Sequence, residues 1–261
     1  MSIFTSSYTR LSVCLLVILV ILYIIHYYSW PSWKYNVLQS KNSAKHVPIS
    51  PKLRILCFGD SLTAGMKKRG DMDPSHIYPY SNTLKKLFDK HLSRKIRSKL
   101  SVRIQTEGVP GERVLGGMKQ RLYGLMNGNV TYDWVVILGG TNDLNFFLQQ
   151  PTKAPNVTAV LEELLELHDL SHTFLARTIA VSIPPRQCER TSKCKSYTDA
   201  RHYINKELRL YSTSRTGETF YVDIEKEMRT DKPYWSDEVH FNDLGYDRIG
   251  SIIFDSLYKN I

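Results

Sequence analysis

The chain is short of acid. Its 25 Asp and Glu residues stand against 35 Lys and Arg, which leaves a formal charge of +10 over 261 residues. The imbalance is concentrated between positions 85 and 103, where Lys85, Lys86, Lys90, Arg94, Lys95, Arg97, Lys99 and Arg103 are opposed by one acid, Asp89. No recognised nucleic-acid-binding motif accompanies this charge, so nucleic acid is not an expected partner. Apolar Leu84, Leu87, Phe88, Leu92, Ile96 and Leu100 recur through the same stretch at a spacing near 3.6. The basic side of that helix reads either as a solvated face or as a face resting on anionic lipid headgroups.

Cysteine is scarce too, with four in the chain, and no spacing suggests a zinc site. Neither a metal nor a cofactor is expected. Cys14 and Cys57 lie in apolar runs and read as buried small hydrophobes. Cys188 and Cys194 are spaced to close a small loop disulfide, which implies an oxidising compartment. Repeats are absent, and so is any sign of a second domain: this length accommodates one membrane segment and one α/β domain with a substantial core.

Residues 11–30, LSVCLLVILVILYIIHYYSW, are almost wholly apolar, and about 20 such residues suffice to cross a bilayer as a helix. Tyr23, Tyr27, Tyr28, Trp30 and Trp33 gather toward its far end, where amphipathic rings favour the lipid–water boundary. A cleaved signal peptide is the competing reading, but the run exits through Tyr27, Tyr28 and Trp30, where a signal peptidase needs small residues. The expected organisation is a tail at 1–10, a single-pass anchor at 11–30, a Pro-, Ser- and Lys-rich linker at 31–52 and a folded domain at 53–261. Arg10 before the anchor and Lys34, Lys41 and Lys45 after it give no firm orientation. Asn129-Val130-Thr131 and Asn156-Val157-Thr158 are glycosylation acceptors if exposed in the secretory pathway, and with the cysteine pair they favour a lumenal or extracellular domain.

Within the domain, strand-like runs at Leu53–Phe58, Val102–Thr106, Trp134–Leu138, Phe174–Ser182 and Thr219–Ile224 alternate with helical periods, the second clear one being Val157, Val160, Leu161, Leu164 and Leu165. Such alternation predicts a parallel sheet covered by helices on both faces. Four short blocks punctuate it: Phe58-Gly59-Asp60-Ser61-Leu62-Thr63, Gly108-Val109-Pro110-Gly111, Gly140-Thr141-Asn142-Asp143 and Asp237-Glu238-Val239-His240. Three of them follow strand-like runs, where open α/β sheets place their ligands.

A serine hydroxyl becomes a competent nucleophile when a base takes its proton and a third group fixes the tautomer of that base. Ser61, His240 and Asp237 supply those types. Acyl transfer also needs donors aimed at the developing oxyanion, and the Gly111 N–H and the Asn142 amide are suitable. Each block has a plainer use: Ser61 as a helix N-cap, Asn142 in an Asx turn after Gly139-Gly140, and Pro110-Gly111 as a simple turn. Asp-x-x-His occurs four times, at Asp73/His76, Asp169/His172, Asp199/His202 and Asp237/His240. Asp199/His202 reads as a surface pair on a helix and Asp169/His172 as a helix exit. Asp73/His76, in a polar loop soon after Ser61, stays a rival base, while Asp237/His240 follows the last strand and precedes the final amphipathic helix. Asp60, beside the nucleophile, is expected to support the turn.

Through these four blocks the chain resembles the SGNH/GDSL hydrolases, over roughly residues 52 to 258. The resemblance implies a flavodoxin-like three-layer αβα sandwich around a five-stranded parallel sheet of order 2-1-3-4-5. It also implies Ser61 as nucleophile, Asp237 and His240 completing the triad, and an oxyanion hole of the Ser61 and Gly111 N–H groups with the Asn142 side chain. Two positions depart from the family pattern, Thr106 where many members carry Asn and Arg113 where many carry Thr, which leaves Gly108 as an alternative to Gly111. Gly59-x-Ser61-x-Thr63 lacks the second glycine of the α/β-hydrolase elbow, which disfavours that rival fold. The expected activity is hydrolysis of a carboxylic ester, on a small ester, an acylated glycan or a lipid. An acyltransferase using the same site, and a catalytically silent glycan- or lipid-binding module, are the alternatives.

Overall fold

The computed structural model describes residues 52–71, 73–95, 101–150, 156–191 and 194–261. The expected tail, the 11–30 anchor with Cys14, and all of the linker but Lys52 lie outside these residues. Among the described residues, no helix is long and apolar enough to cross a membrane.

Five strands, β1 (Lys52–Gly59), β2 (Ser101–Gly108), β3 (Trp134–Leu138), β4 (Arg177–Val181) and β5 (Thr219–Val222), form one parallel sheet in the order β2-β1-β3-β4-β5. The helices are α1 (Ser61–Ala64), α2 (Ser81–Lys95), α3 (Met118–Met126), α4 (Thr141–Gln149), α5 (Val157–Thr173), α6 (Lys195–Ser214) and α7 (Asp243–Asn260). Every residue of β3 is buried, as a central parallel strand covered on both faces requires.

The two-residue period of a strand divides the sheet's side chains between two cores. Leu53, Ile55 and Cys57 of β1 and Trp134, Val136 and Leu138 of β3 pack in one cluster with Leu84, Phe88 and Leu92 of α2 and Ile249, Ile253 and Leu257 of α7. The intervening Leu56, Phe58, Val135 and Ile137 are equally buried and face the other side, where α3 contributes the Arg121 guanidinium 4.0 Å over the Phe58 ring. Each large apolar side chain so buried contributes about 1.5–3 kcal/mol, so both helical layers are needed to hold the sheet. Burial pushes the Cys57 thiol up to about 12, which makes it an inert core residue rather than a nucleophile.

Strand β4 is shorter than the apolar run that announced it. Phe174 closes α5, its N–H donating to Ser171 and His172 carbonyls, and Leu175 takes a left-handed φ of 63° while 71% exposed. Hydrophobicity marks Phe174 as buried, but the chain must turn there from helix to strand, and composition does not register that turn. On α2, Lys85, Lys86 and Lys90 are exposed opposite the buried Leu84, Phe88 and Leu92, and Arg103 is exposed on β2; the basic run's remaining side chains fall outside the description.

Candidate active site

The register of the sheet brings three of the four blocks to one edge. Gly59, the last residue of β1, stands opposite Gly108 on β2 and Leu138 on β3, so the chain leaves three adjacent strands at the same height. From β1 it passes through Asp60, whose carboxylate caps α1 by accepting from the Leu62 N–H at 2.9 Å. Ser61 is therefore the first residue of that helix, where an N–H has no intrahelical acceptor.

His240 arrives from the other end of the chain. A β-bridge between Trp235 and Phe241 pinches the loop after β5, and Asn242 then caps α7 by accepting from Gly245. Inside the pinch, Asp237 Oδ1 accepts from the N–H groups of Val239 and His240 at 2.8 and 2.6 Å, and Oδ2 accepts from Arg69 N–H at 2.9 Å. His240 Nδ1 lies 2.8 Å from Asp237 Oδ2, and Nε2 lies 3.1 Å from Ser61 Oγ. Burial raises the Asp237 carboxyl, but the His240 backbone and ring contacts, with the N–H groups of Val239 and Arg69, outweigh it and hold the group below the usual carboxylate range. An ionised carboxylate only accepts. Nδ1 must therefore carry the proton, Nε2 is left as acceptor, and the Ser61 hydroxyl donates to it. Ser61 and His240 are each about 5% exposed.

The glycine block separates into two jobs. At Gly108 a Cβ would come within 2.1 Å of Ala64 N, so that glycine lets β2 approach α1. Gly111 has open space around it but a φ of +77°, and it lines the same cleft as Ser61, Asn142 and His240, which Gly108 does not. Asn142, at the start of α4, donates through Nδ2 to Glu112 O at 2.9 Å and, over a long 3.4 Å, to Asp60 Oδ2. The short bond fixes the amide against the glycine block, and the long one is weak enough to be exchanged for another acceptor.

Two further side chains support the site. Arg121 donates to Gly59 O at 2.9 Å, to Glu107 O at 3.1 Å and to the Glu112 carboxylate, tying together the ends of β1 and β2. Asp143 accepts from Val114 and Leu115 N–H at 2.8 and 3.1 Å, bracing the segment after Gly111; burial pushes its carboxyl upward despite those bonds. Asp143 belongs to the Gly140–Asp143 block, whereas Arg121, 62 residues from its Gly59 partner, has no local signal in the sequence. Asp60 is fully buried. That burial, opposed by the Leu62 N–H and reinforced by Asp143 and Glu112, raises its carboxyl to about 7.

The other Asp-x-x-His pairs are elsewhere engaged. His76 Nδ1 contacts Asp71 at 2.9 Å, while the Asp73 carboxylate accepts from the Ser75 N–H. His172 faces Thr178 and Thr219 at 3.3 and 3.1 Å, with its pKa lowered by burial. Asp199 and His202 are both on the surface of α6, yet they bind different partners, Lys195 and Glu225. Cys188 and Cys194 are joined by a disulfide with Cα atoms 5.8 Å apart. Asn129 and Asn156 are exposed, and Asn156 caps α5 by accepting from Ala159 at 3.1 Å. No cluster of metal-ligating side chains occurs among the described residues.

The cleft above Ser61 and His240 has a volume of about 530 Å³, within the range of small-molecule sites. A second hollow of about 350 Å³, bordered by Arg54, Arg103 and Tyr132, holds no nucleophile. A hydroxyl, an imidazole that accepts from it, a carboxylate behind the imidazole and an adjacent amide can together perform nucleophilic acyl transfer.

Solved structures share this fold. The lipase/acylhydrolase from Enterococcus faecalis is 20% identical, with a TM-score of 0.54, over 79% of this chain and 96% of that one. A family 3 carbohydrate esterase from Clostridium thermocellum is 19% identical, with a TM-score of 0.56, over 80% and 96%. An acetylxylan esterase from Geobacillus stearothermophilus is 17% identical, with a TM-score of 0.55, over 80% and 93%. At these identities the likeness establishes architecture alone. No curated protein matches the chain in sequence. The profile of the GDSL-like Lipase/Acylhydrolase family matches residues 57–248, from the strand before Ser61 to the helix after His240. The chain therefore belongs to the GDSL-like lipase/acylhydrolase family and is an ester-cleaving hydrolase.

Proposed function

We propose that the chain is a membrane-anchored serine esterase that cleaves O-acyl esters through an acyl-enzyme. His240 Nε2 takes the Ser61 proton as Oγ attacks the ester carbonyl, and the tetrahedral intermediate carries its negative charge on the former carbonyl oxygen. The N–H groups of Ser61 and Gly111 and the amide of Asn142 bind that oxygen, the last by giving up its long bond to Asp60. Collapse expels the alcohol, which receives the proton from the imidazolium. Water then repeats the sequence on the acyl-enzyme and releases the acid. Asp237 holds His240 in its Nδ1–H tautomer and stabilises the imidazolium. The observation that carries this reading is the continuous contact from Ser61 through His240 to Asp237 at the floor of an open cleft.

Residues 11–30 are the proposed anchor, with the domain on the lumenal or extracellular side. The Cys188–Cys194 disulfide and the two exposed Asn-x-Thr sites support that side. Two of the similar structures are a carbohydrate esterase and an acetylxylan esterase, and an O-acylated sugar would suit a wide cleft with a polar floor. A fluorophosphonate probe tests the activity, because only an activated serine reacts with it. Adduct formation on Ser61 is expected. A folded protein that resists labelling would be a silent binding module instead.

A further inference from the structure

The catalytic cleft is lined by three guanidinium side chains, Arg69, Arg113 and Arg186, and by no carboxylate. They come from three separate segments, the loop after α1, the turn after the glycine block and the loop after β4. Among the described residues, none of the three forms an ion pair with Asp or Glu, although most other arginines nearby do. The negative groups in reach are otherwise committed. Asp143 acts on Arg113 only at a distance, its oxygens being taken by Val114 and Leu115. Asp237 receives the backbone N–H of Arg69, not its side chain. Glu189 accepts the backbone N–H of Arg186 but pairs its carboxylate with Arg201.

Arg186 is the most telling of the three. It is 8% exposed, its Nη1 donates to Asn145 Oδ1 at 2.5 Å, and its Nε has no hydrogen-bond partner. The equally buried Arg201 lies between Glu189 and Glu225 at 2.7 and 2.8 Å. A buried charge without a counter-charge is costly, and Arg186 has the Asn145 oxygen and the Tyr197 ring, 5.4 Å from its guanidinium, but no carboxylate. Arg113 is stacked more closely, with its guanidinium 4.2 Å over the Phe146 ring, which limits the freedom it would lose on binding a ligand.

We infer that the cleft selects esters bearing an anionic group, a carboxylate, sulfonate or phosphate, which Arg186 and Arg113 bind by charge-assisted hydrogen bonds while Arg69 at the exposed rim steers it in. This rests on the esterase reading and narrows it to a substrate class. Planar guanidinium groups match such oxyanions in pairs, and a pocket of uniform sign concentrates ligands of the opposite sign.

The test compares near-isosteric esters. 3-Acetoxybenzenesulfonate carries an anion on the alcohol side and 3-acetoxybenzenesulfonamide is its neutral counterpart; mono-aryl succinate and the aryl ester of its methyl ester form the pair on the acyl side. One pair is expected to show kcat/KM higher for the anion by roughly ten- to a hundredfold, and which pair does so locates the anion. The ratio should fall toward one in Arg186→Gln and Arg113→Gln, and with rising salt; Arg69→Gln, at an exposed position, should lower it less. Ratios within one preparation are insensitive to a loss of folded protein. Direct binding of the four esters to Ser61→Ala separates the two readings. Anion-selective binding without turnover in the parent protein would reject the esterase reading and keep this one. Equal turnover and equal binding of charged and neutral esters on both sides would overturn it.

Discussion

Ser61 Oγ lies 3.1 Å from Nε2 of His240 across 179 residues of chain. Nothing local enforces that approach. The strand end that presents Ser61 and the pinched loop that presents His240 are brought together by the two-sided packing of one sheet. Thr63 and Tyr246, fully buried beside these two segments, show how little room the arrangement has to drift.

Replacing Asp237 by Asn tests the tautomer argument. The amide keeps the shape of the group but can turn an N–H toward Nδ1, which would leave Nε2 protonated and unable to accept from Ser61. We expect kcat to fall by about 10⁴-fold, as the same change does in serine-protease triads, with the far-UV circular dichroism unchanged. A loss below tenfold would show that Asp237 does not set the tautomer.

Asn142→Ala removes one of the proposed oxyanion donors. Its expected cost is about 2.7–4 kcal/mol of barrier, read as a fall in kcat on a p-nitrophenyl ester with KM little altered. An effect confined to KM would place Asn142 in ground-state binding instead.

Asp60 makes a prediction about pH and stability. Its folded carboxyl titrates at about 7, while an unfolded aspartate titrates at about 3.9. Between those values the folded protein holds a proton that the unfolded chain has released. This group's contribution is fully present below about 4 and is lost as pH rises through about 7. Asn cannot titrate and keeps an oxygen for the Leu62 N–H, so Asp60→Asn should shrink the drop in Tm between pH 5 and pH 8 by roughly 5 °C. A drop equal to that of the parent protein would mean that Asp60 does not retain its proton.

The anchor and its orientation are open to a cell-biological measurement. Expressed in a secretory host, the full chain should resist alkaline extraction from membranes and shift in mass on endoglycosidase treatment. Asn129→Gln with Asn156→Gln should abolish that shift. Release by alkali would argue against the anchor, and an unglycosylated membrane-bound chain against the lumenal side.

The sequence made the sheet legible because its central strand is a continuous apolar run, Trp134–Leu138, and because Gly59 and Gly108 end β1 and β2 while Gly139 and Gly140 follow β3. Phe174 reads as strand in the sequence but caps a helix, since burial at a helix end and burial in a strand have the same composition. Ser61, Asn142 and Asp237 stand out in the sequence because each sits in a short block of recognisable residue types. Arg121 and Arg186 do not. Their partners, Gly59 and Asn145, are 62 and 41 residues away, and an arginine that braces strand ends or lines a cleft is written no differently from one on the surface. The Asp-x-x-His motif alone does not choose among its four copies; chain position favours Asp237/His240, and the fold shows where others turn, His76 to Asp71 and His202 to Glu225.

The most direct measurement is kcat/KM for a short-chain p-nitrophenyl ester across Ser61→Ala, His240→Ala and His76→Ala. The triad account predicts a loss of about 10⁴-fold or more for the first two and near-parent turnover for His76→Ala. Turnover that survives Ser61→Ala, or that is lost with His76 and kept without His240, would contradict it.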